Sequence, residues 1–232
     1  MAMTVADCGA MAQACRDAGV VLQIGFVRHF CNEWLKLREI IQAGTIGRPV
    51  VWRSLTGSSG ARLPWYFDRE IGGGPFIDGE VHSYDFAQFI FGEAAGVVTD
   101  VRRLKSGTTA LDTGTVLVNF ASGDQQVLAW SWGLPGFAYH ISADSAHDVL
   151  GPLGAITFPG GSQLKVHLED GEHLVDFEAD SGADWFRKQM AHTVQCCRTG
   201  REPEAGAAEG REATRIAAAA LSGGDGSRIV AL

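Results

Sequence analysis

The chain has 232 residues, long for one compact domain and short for two. Apolar residues make up 46% and charged residues 20%, which excludes a disordered or fibrous chain, and a net charge of -8 argues against general affinity for nucleic acid or anionic membrane. No run approaches the ~18 apolar residues of a membrane helix, and MAMTVADCGA lacks the basic-then-apolar order of a secretory leader, so a cytoplasmic protein is expected.

Thr4 to Ala18 reads as a helix. Thr4 is an N-cap with Asp7 three residues on, Met11, Ala14 and Cys15 recur at helical spacing, and Gly19 supplies the stop. Val20 to Val27, VVLQIGFV, is a nearly continuous apolar run and is predicted as a strand buried on both faces of a parallel sheet. A helix leading into such a strand is the second half of a βαβ unit, so partner strands from elsewhere are expected. Trp34, Leu35, Leu37, Ile40 and Ile41 give a second helix that closes in AGTIG, and RPVVWRSLTG follows as a strand with Pro49 at its entry. Residues 57–74 form a long loop rich in glycine, serine, arginine and aromatics, ending in Gly72-Gly73-Gly74.

Pro75 opens a helix predicted to run to about Phe91. The segments VVTDVRRL, TVLVNFAS, QQVLAWSWGL, AITF, LKVHLE and HLVDFEA then alternate with turn residues, the pattern of antiparallel hairpins. Two helices, Ala183 to Cys197 and Ala207 to Leu221, close the chain. The predicted fold class is α+β, an α/β helix–strand remnant followed by a large open, mostly antiparallel sheet flanked by helices. Cys8, Cys15, Cys31, Cys196 and Cys197 are odd in number and include no CxxC pair, so they read as reduced structural thiols.

The chemistry concentrates in GGGPFIDGEVHSYDFAQFIFG. On a continuous helix Asp78 and His82 are four apart and share a face, with Asp85 three beyond His82 on nearly the same side. A carboxylate beside an imidazole can fix its tautomer, raise its pKa and leave the other nitrogen free for a substrate proton. The alternative reading of the same spacing is a solvated pair on a helix surface. Trp65 and Tyr66 either stack on a sugar ring or cofactor, or cover the sheet edge. Trp130 and Trp132 alternate along a strand and face one side, a core or a dimer interface. His140 and His147 among Asp144 and Asp148 carry metal-ligand atom types at an unspecific spacing, and no metal is expected.

The strings VVLQIGFVRHF, AGTIGRPV and PWYFDREIGGGPFIDGEVHSYDFAQFIFG, with TGREPEAGAAEGREATRIAAAALSGGDGSRIVAL at the end, resemble the Gfo/Idh/MocA family of NAD(P)-dependent oxidoreductases over the whole chain. The resemblance implies an N-terminal Rossmann domain, of which residues 1–29 would be the last helix and strand, and a C-terminal α/β substrate and oligomerisation domain over 30–232. It places the family's catalytic aspartate and histidine on Asp78 and His82, the histidine acting on the substrate hydroxyl proton while hydride passes to nicotinamide. Trp65, Tyr66 and Asp85 are the candidate substrate contacts.

Three departures accompany the resemblance. The family's Glu-Lys-Pro motif, with a second catalytic lysine, would end just before Met1; no GxGxxG dinucleotide fingerprint occurs; and His29 stands where the family usually carries arginine, beside Arg28. The expectation is the catalytic half of a sugar, inositol or polyol dehydrogenase in truncated form. NAD or NADP is the implied cofactor, with negligible binding to the isolated chain. A homo-oligomer through the open sheet is expected, and neither nucleic acid nor membrane is an expected partner. The alternative is a non-catalytic oligomerisation or ligand-binding domain derived from that family.

Overall fold

The structure, a computed structural model, describes residues 2–134 and 147–232. Helix α1 spans Val5–Ala18; the Thr4 hydroxyl accepts from the Asp7 N–H at 3.1 Å, and Gly19 ends it in the left-handed region at φ 64°. The expectation for Val20 to Val27 is corrected here. Residues 20–26 join neither a strand nor a helix, and Val27–Phe30 form a 3₁₀ turn. The Ile24 N–H reaches the Ala205 carbonyl at 2.8 Å. Continuous hydrophobicity can make a strand only where a neighbouring strand offers hydrogen bonds, and no described segment does.

Helix α2 (Asn32–Gln42) buries Trp34, Leu37, Ile40 and Ile41 and leads into β1 (Val51–Gly57). A 3₁₀ turn at Pro64–Phe67 precedes α3 (Pro75–Asp78) and α4 (Val81–Phe91), so the single helix expected from Pro75 is broken in two. The strands β2 (Ala94–Arg102), β3 (Thr113–Phe120), β4 (Gln125–Ser131), β5 (His147–Gly151), β6 (Gly154–Thr157), β7 (Gln163–Leu168) and β8 (Gly171–Asp176) follow. Helices α5 (Gly182–Thr199) and α6 (Ala207–Leu221) and strand β9 (Gly226–Ala231) complete the described chain.

The nine described strands form one sheet in the order β8-β7-β6-β5-β1-β4-β3-β2-β9. Only β1 and β4 run parallel, with Ser54 opposite Leu128; the other pairs are antiparallel. β5 and β9 were not foreseen: β5 pairs with β1 at one of its sides, and β9 covers the β2 edge.

The helices cover one face. Trp34 and Trp52 pack with centroids 5.7 Å apart, Phe86 sits edge-on to both, and Val97, Val116, Leu128, Val149, Ile156 and Ile216 extend the apolar layer. Burying such side chains contributes on the order of 1.5–3 kcal/mol each. Leu55, Val98, Leu150 and Ile229 stay exposed on the sheet. All five cysteines are free thiols.

Candidate functional site

The site is built where the long loop turns into α3. Gly74 takes φ 80° at the helix start, a conformation that favours glycine, and a Cβ there would lie 2.6 Å from the Leu111 carbonyl oxygen. Pro75 follows as the first helical residue. Its carbonyl accepts from both the Gly79 N–H, at 3.0 Å, and the Glu80 N–H, at 2.9 Å. The second of these is an i→i−5 bond, so one residue is inserted, as in a π-turn. A side chain at position 79 would meet the Trp130 ring at 2.8 Å, so only glycine lets the turn lie on that strand. The expected one-turn stacking of Asp78 under His82 is therefore replaced by a step between two short helices.

The step still brings the two to one cleft of about 400 Å³, lined also by Trp65, Gly25, Phe26 and Thr214. His82 presents its ring edge-on to Phe26 at 5.6 Å, and its Nδ1 is buried without a hydrogen bond. Burial pushes the imidazole down to about 4, and the Arg28 guanidinium pushes in the same direction. At neutral pH the ring is uncharged and can take a proton. Burial moves the Asp78 carboxyl upward. A carboxylate beside the imidazole was expected to raise its pKa; burial lowers it instead, and the Nδ1 has no carboxylate partner.

Two residues not singled out as candidate site residues lie directly behind. Glu80 is 2% exposed, with Oε2 unpartnered, and burial drives its carboxyl up to about 7, opposed by a Ser83 hydrogen bond and by Arg28. Arg28 donates to the Ser83 hydroxyl at 2.9 Å and lies 4.8 Å from the Trp34 ring centroid. The sequence signal for Glu80 was its place in the Asp-Gly-Glu-Val-His string; nothing local tells a buried carboxylate from an exposed one.

The remaining candidates go elsewhere. Asp85, foreseen as a substrate contact, is 2% exposed and its Oδ2 lies 2.7 Å from the Nε2 of His29. That pair borders a second recess of about 560 Å³ rather than the His82 cleft. His29 is thus committed to a buried carboxylate. Tyr66 stacks on Trp65 at 3.7 Å but turns its edge to Trp132 at 6.2 Å, and only Trp65 lines the cleft. Trp130 lies under Gly79, on the helix-covered face. Of the metal-type residues, His140 and Asp144 lie outside the described residues, Asp148 pairs with Arg53, and His147 sits among the rings of Trp34, Trp52 and Phe158. Among the described residues no three such side chains converge as a metal site.

The chain thus combines a broad mixed sheet, helices packed on one of its faces, and a cleft shared by His82 and Asp78. Residues 34–157 match the GFO/IDH/MocA C-terminal domain, and the chain belongs to that family. It is 28% identical over 245 aligned residues to the myo-inositol 2-dehydrogenase of Thermotoga maritima, covering 100% of this chain and 70% of that protein. It is 32% identical over 215 residues to the scyllo-inositol 2-dehydrogenase (NAD(+)) of Bacillus subtilis, covering 88% of this chain and 60% of that one. Among solved structures, the Caulobacter crescentus aldose-aldose oxidoreductase complexed with glycerol superposes with a TM-score of 0.80 at 26% identity, covering 100% of this chain and 70% of that one. Among the described residues no helix is long and apolar enough to cross a membrane.

Proposed function

We propose that this chain is the substrate-binding and catalytic half of an NAD(P)-dependent dehydrogenase acting on an inositol, sugar or related polyol, with His82 as the acid/base. The observation that carries the reading is the convergence of a neutral, unpartnered His82 with Asp78 and Trp65 on one cleft. Residues 1–29 are read as part of the nucleotide-binding domain and 30–232 as the substrate domain.

The residues present fit the nicotinamide end of the cofactor. Ile24, Gly25, Phe26 and Trp65 give the cleft a largely apolar lining, which suits a flat ring with a small polyol. When bound, nicotinamide supplies the hydride acceptor. The chain's own residues do the rest: Trp65 offers an aromatic face to a sugar ring, His82 takes the hydroxyl proton as the carbinol is oxidised and returns it in the reverse direction, and Asp78 orients the substrate beside it. A hydroxyl proton must leave as its carbon gives up hydride, and a general base lowers that barrier by typically ~10²–10⁴ in rate.

The 232 residues hold no glycine-rich fingerprint for the pyrophosphate, so calorimetry on the chain alone should detect negligible NAD or NADP binding. The exposed band of Leu55, Val98, Leu150 and Ile229 fits a second copy of the chain, with light scattering at tens of micromolar expected to report a dimer or larger. The deciding experiment joins the chain to a nucleotide-binding domain and follows nicotinamide reduction with inositols, pentoses and hexoses. Turnover with one of these classes supports the reading. A folded, cofactor-binding protein that oxidises none of them would favour the non-catalytic alternative.

A further inference from the structure

The turn that separates Asp78 from His82 contains a carboxylate that the proposed reaction does not use. Glu80 lies two residues from each, at the i→i−5 hydrogen bond to Pro75. Ser83 and Arg28 both draw its raised carboxyl back down, and the Ser83 hydroxyl accepts from Arg28 at 2.9 Å, so a buried carboxylate, a buried hydroxyl and a half-buried guanidinium lie together. The Ser83 carbonyl is held in turn by the Gln126 Nε2 at 3.0 Å, which ties the start of α4 to β4. An apolar replacement of such a buried pair is often as stable as the pair itself, so stability alone gives little reason for two charges here.

The charges also face His82. Arg28, from the 3₁₀ turn Val27–Phe30, acts on the His82 ring, and the N-terminal amino group acts on it in the same direction. The other titratable groups facing the pair are Cys31 and Asp85 near Arg28, Tyr84 near Glu80, and His147 from β5. Asp78 lies in the same cleft as His82. Asp85 is occupied by His29, and the Tyr84 hydroxyl is buried without a partner. Glu80 is thus the buried carboxylate beside Arg28 and Ser83 on the His82 side.

We propose that Glu80 is a positioning residue for His82: buried in the turn from which the imidazole projects, it balances the charge of the Arg28 guanidinium that the ring faces. The inference rests on the acid/base reading of His82 for its catalytic consequence, but not for its physical test. When Glu80 is ionised, the guanidinium is neutralised and His82 is the better base. When Glu80 is protonated, the uncompensated Arg28 makes the ring a poorer one.

The test is histidine-ring NMR on the chain across about pH 6 to 8, the range around the value of about 7 to which burial drives Glu80. The His82 signal is identified by its loss in His82→Gln. Because His82 protonates only near 4, its ring should stay neutral in this range, yet its signal should shift with an inflection near pH 7. The inflection should vanish in Glu80→Gln. In the chain joined to a nucleotide-binding domain, the same variant should lower kcat by about threefold to tenfold with KM nearly unchanged. A flat His82 signal in the wild type overturns the proposal, as does an inflection that survives in Glu80→Gln. A fall in kcat without any change in the ring titration also overturns it, because Glu80 would then act only on the fold. The titrations need no turnover, so they stand apart from the dehydrogenase reading, and if Glu80→Gln fails to fold, Glu80→Asp takes its place: the inflection should move in pH, and one left where it was overturns the proposal.

Discussion

Helix α4 carries two histidine–carboxylate neighbourhoods, and they behave oppositely. Near its N-terminus His82 borders a cleft, has a buried nitrogen without a partner and is held neutral by burial. One turn on, Asp85 locks onto His29 at 2.7 Å, with both side chains nearly inaccessible and the His29 ring 4.2 Å from Phe89. The residue types are the same and each ring has a buried Nδ1 without a partner, but the His29 Nε2 is committed to the Asp85 carboxylate. An imidazole that no carboxylate holds, at the edge of a cleft, can meet a substrate hydroxyl instead.

The strongest way to break that comparison is His82→Ala in the protein joined to a nucleotide-binding domain. Loss of the proton carrier should reduce kcat by about 10²–10⁴ while cofactor affinity and melting temperature stay close to wild type. Asp78→Asn should cost less, about tenfold, because it perturbs orientation without removing the carrier. Steady-state kinetics on both variants measures the contrast. Normal turnover in His82→Ala would make this cleft no different from the His29 pocket.

The second neighbourhood should show the opposite profile. Asp85→Ala leaves a buried imidazole without its carboxylate and should destabilise the chain by about 3–5 kcal/mol. At about 2–4 °C per kcal/mol, the melting temperature should drop by roughly 6–20 °C. Replacing both, His29→Leu with Asp85→Leu, should recover much of that loss, since no buried polar group is then stranded. Thermal unfolding followed by circular dichroism checks both. Equal losses for the single and double variants would mean that packing around Phe89, rather than the pair, is what matters.

The sequence showed one of these neighbourhoods and hid the other for a physical reason. Asp78 and His82 are four apart in a glycine-preceded string, so local spacing was enough to mark them. His29 and Asp85 are 56 residues apart, and only the fold brings the 3₁₀ turn against α4. The break in the helix was hidden for a similar reason. Whether Pro75 accepts one N–H or two depends on Trp130 lying beneath Gly79, a contact between α4's approach and a distant strand.

Fold-level features divide in the same way. The caps of α1, the bounds of α6 and the run of hairpin strands follow local chemistry and were legible. The parallel pairing of β1 with β4 and the addition of β9 at the β2 edge are long-range choices that no local pattern encodes.

The hidden contact suggests a smaller test. Gly79→Ala would place a Cβ 2.8 Å from the Trp130 ring. Either the ring or the turn must move, at a cost of about 1–3 kcal/mol. If the turn moves, His82 shifts with it and kcat should fall by about tenfold with KM little changed. Restoring room with Trp130→Phe should return part of the activity. No recovery would mean that the turn is held independently of the strand below it.

His147 supplies the finest test, because it is unpartnered like His82 yet surrounded by rings rather than by a cleft. Its ring centroid lies 5.0 Å from that of Trp34 and 5.6 Å from that of Phe158, and burial, reinforced by Arg28, pushes it down to about 3. The folded state therefore binds fewer protons at this site than the unfolded chain, whose histidine titrates near ~6.5. Its contribution to stability is present above that value and is lost as the pH falls toward the folded value. Glu80 has the opposite sign: its raised carboxyl favours the folded state at low pH, and that contribution is lost as the pH rises through about 7. The two overlap, so the wild-type curve alone does not separate them. The difference between wild type and His147→Phe does, since Glu80 is common to both. On moving from neutrality to near pH ~5.5, wild type should lose about 1 kcal/mol more than the variant, or roughly 2–4 °C in melting temperature. Parallel curves for the two proteins would mean that His147 finds a proton-stabilising partner in the folded state, and its likeness to His82 would end there.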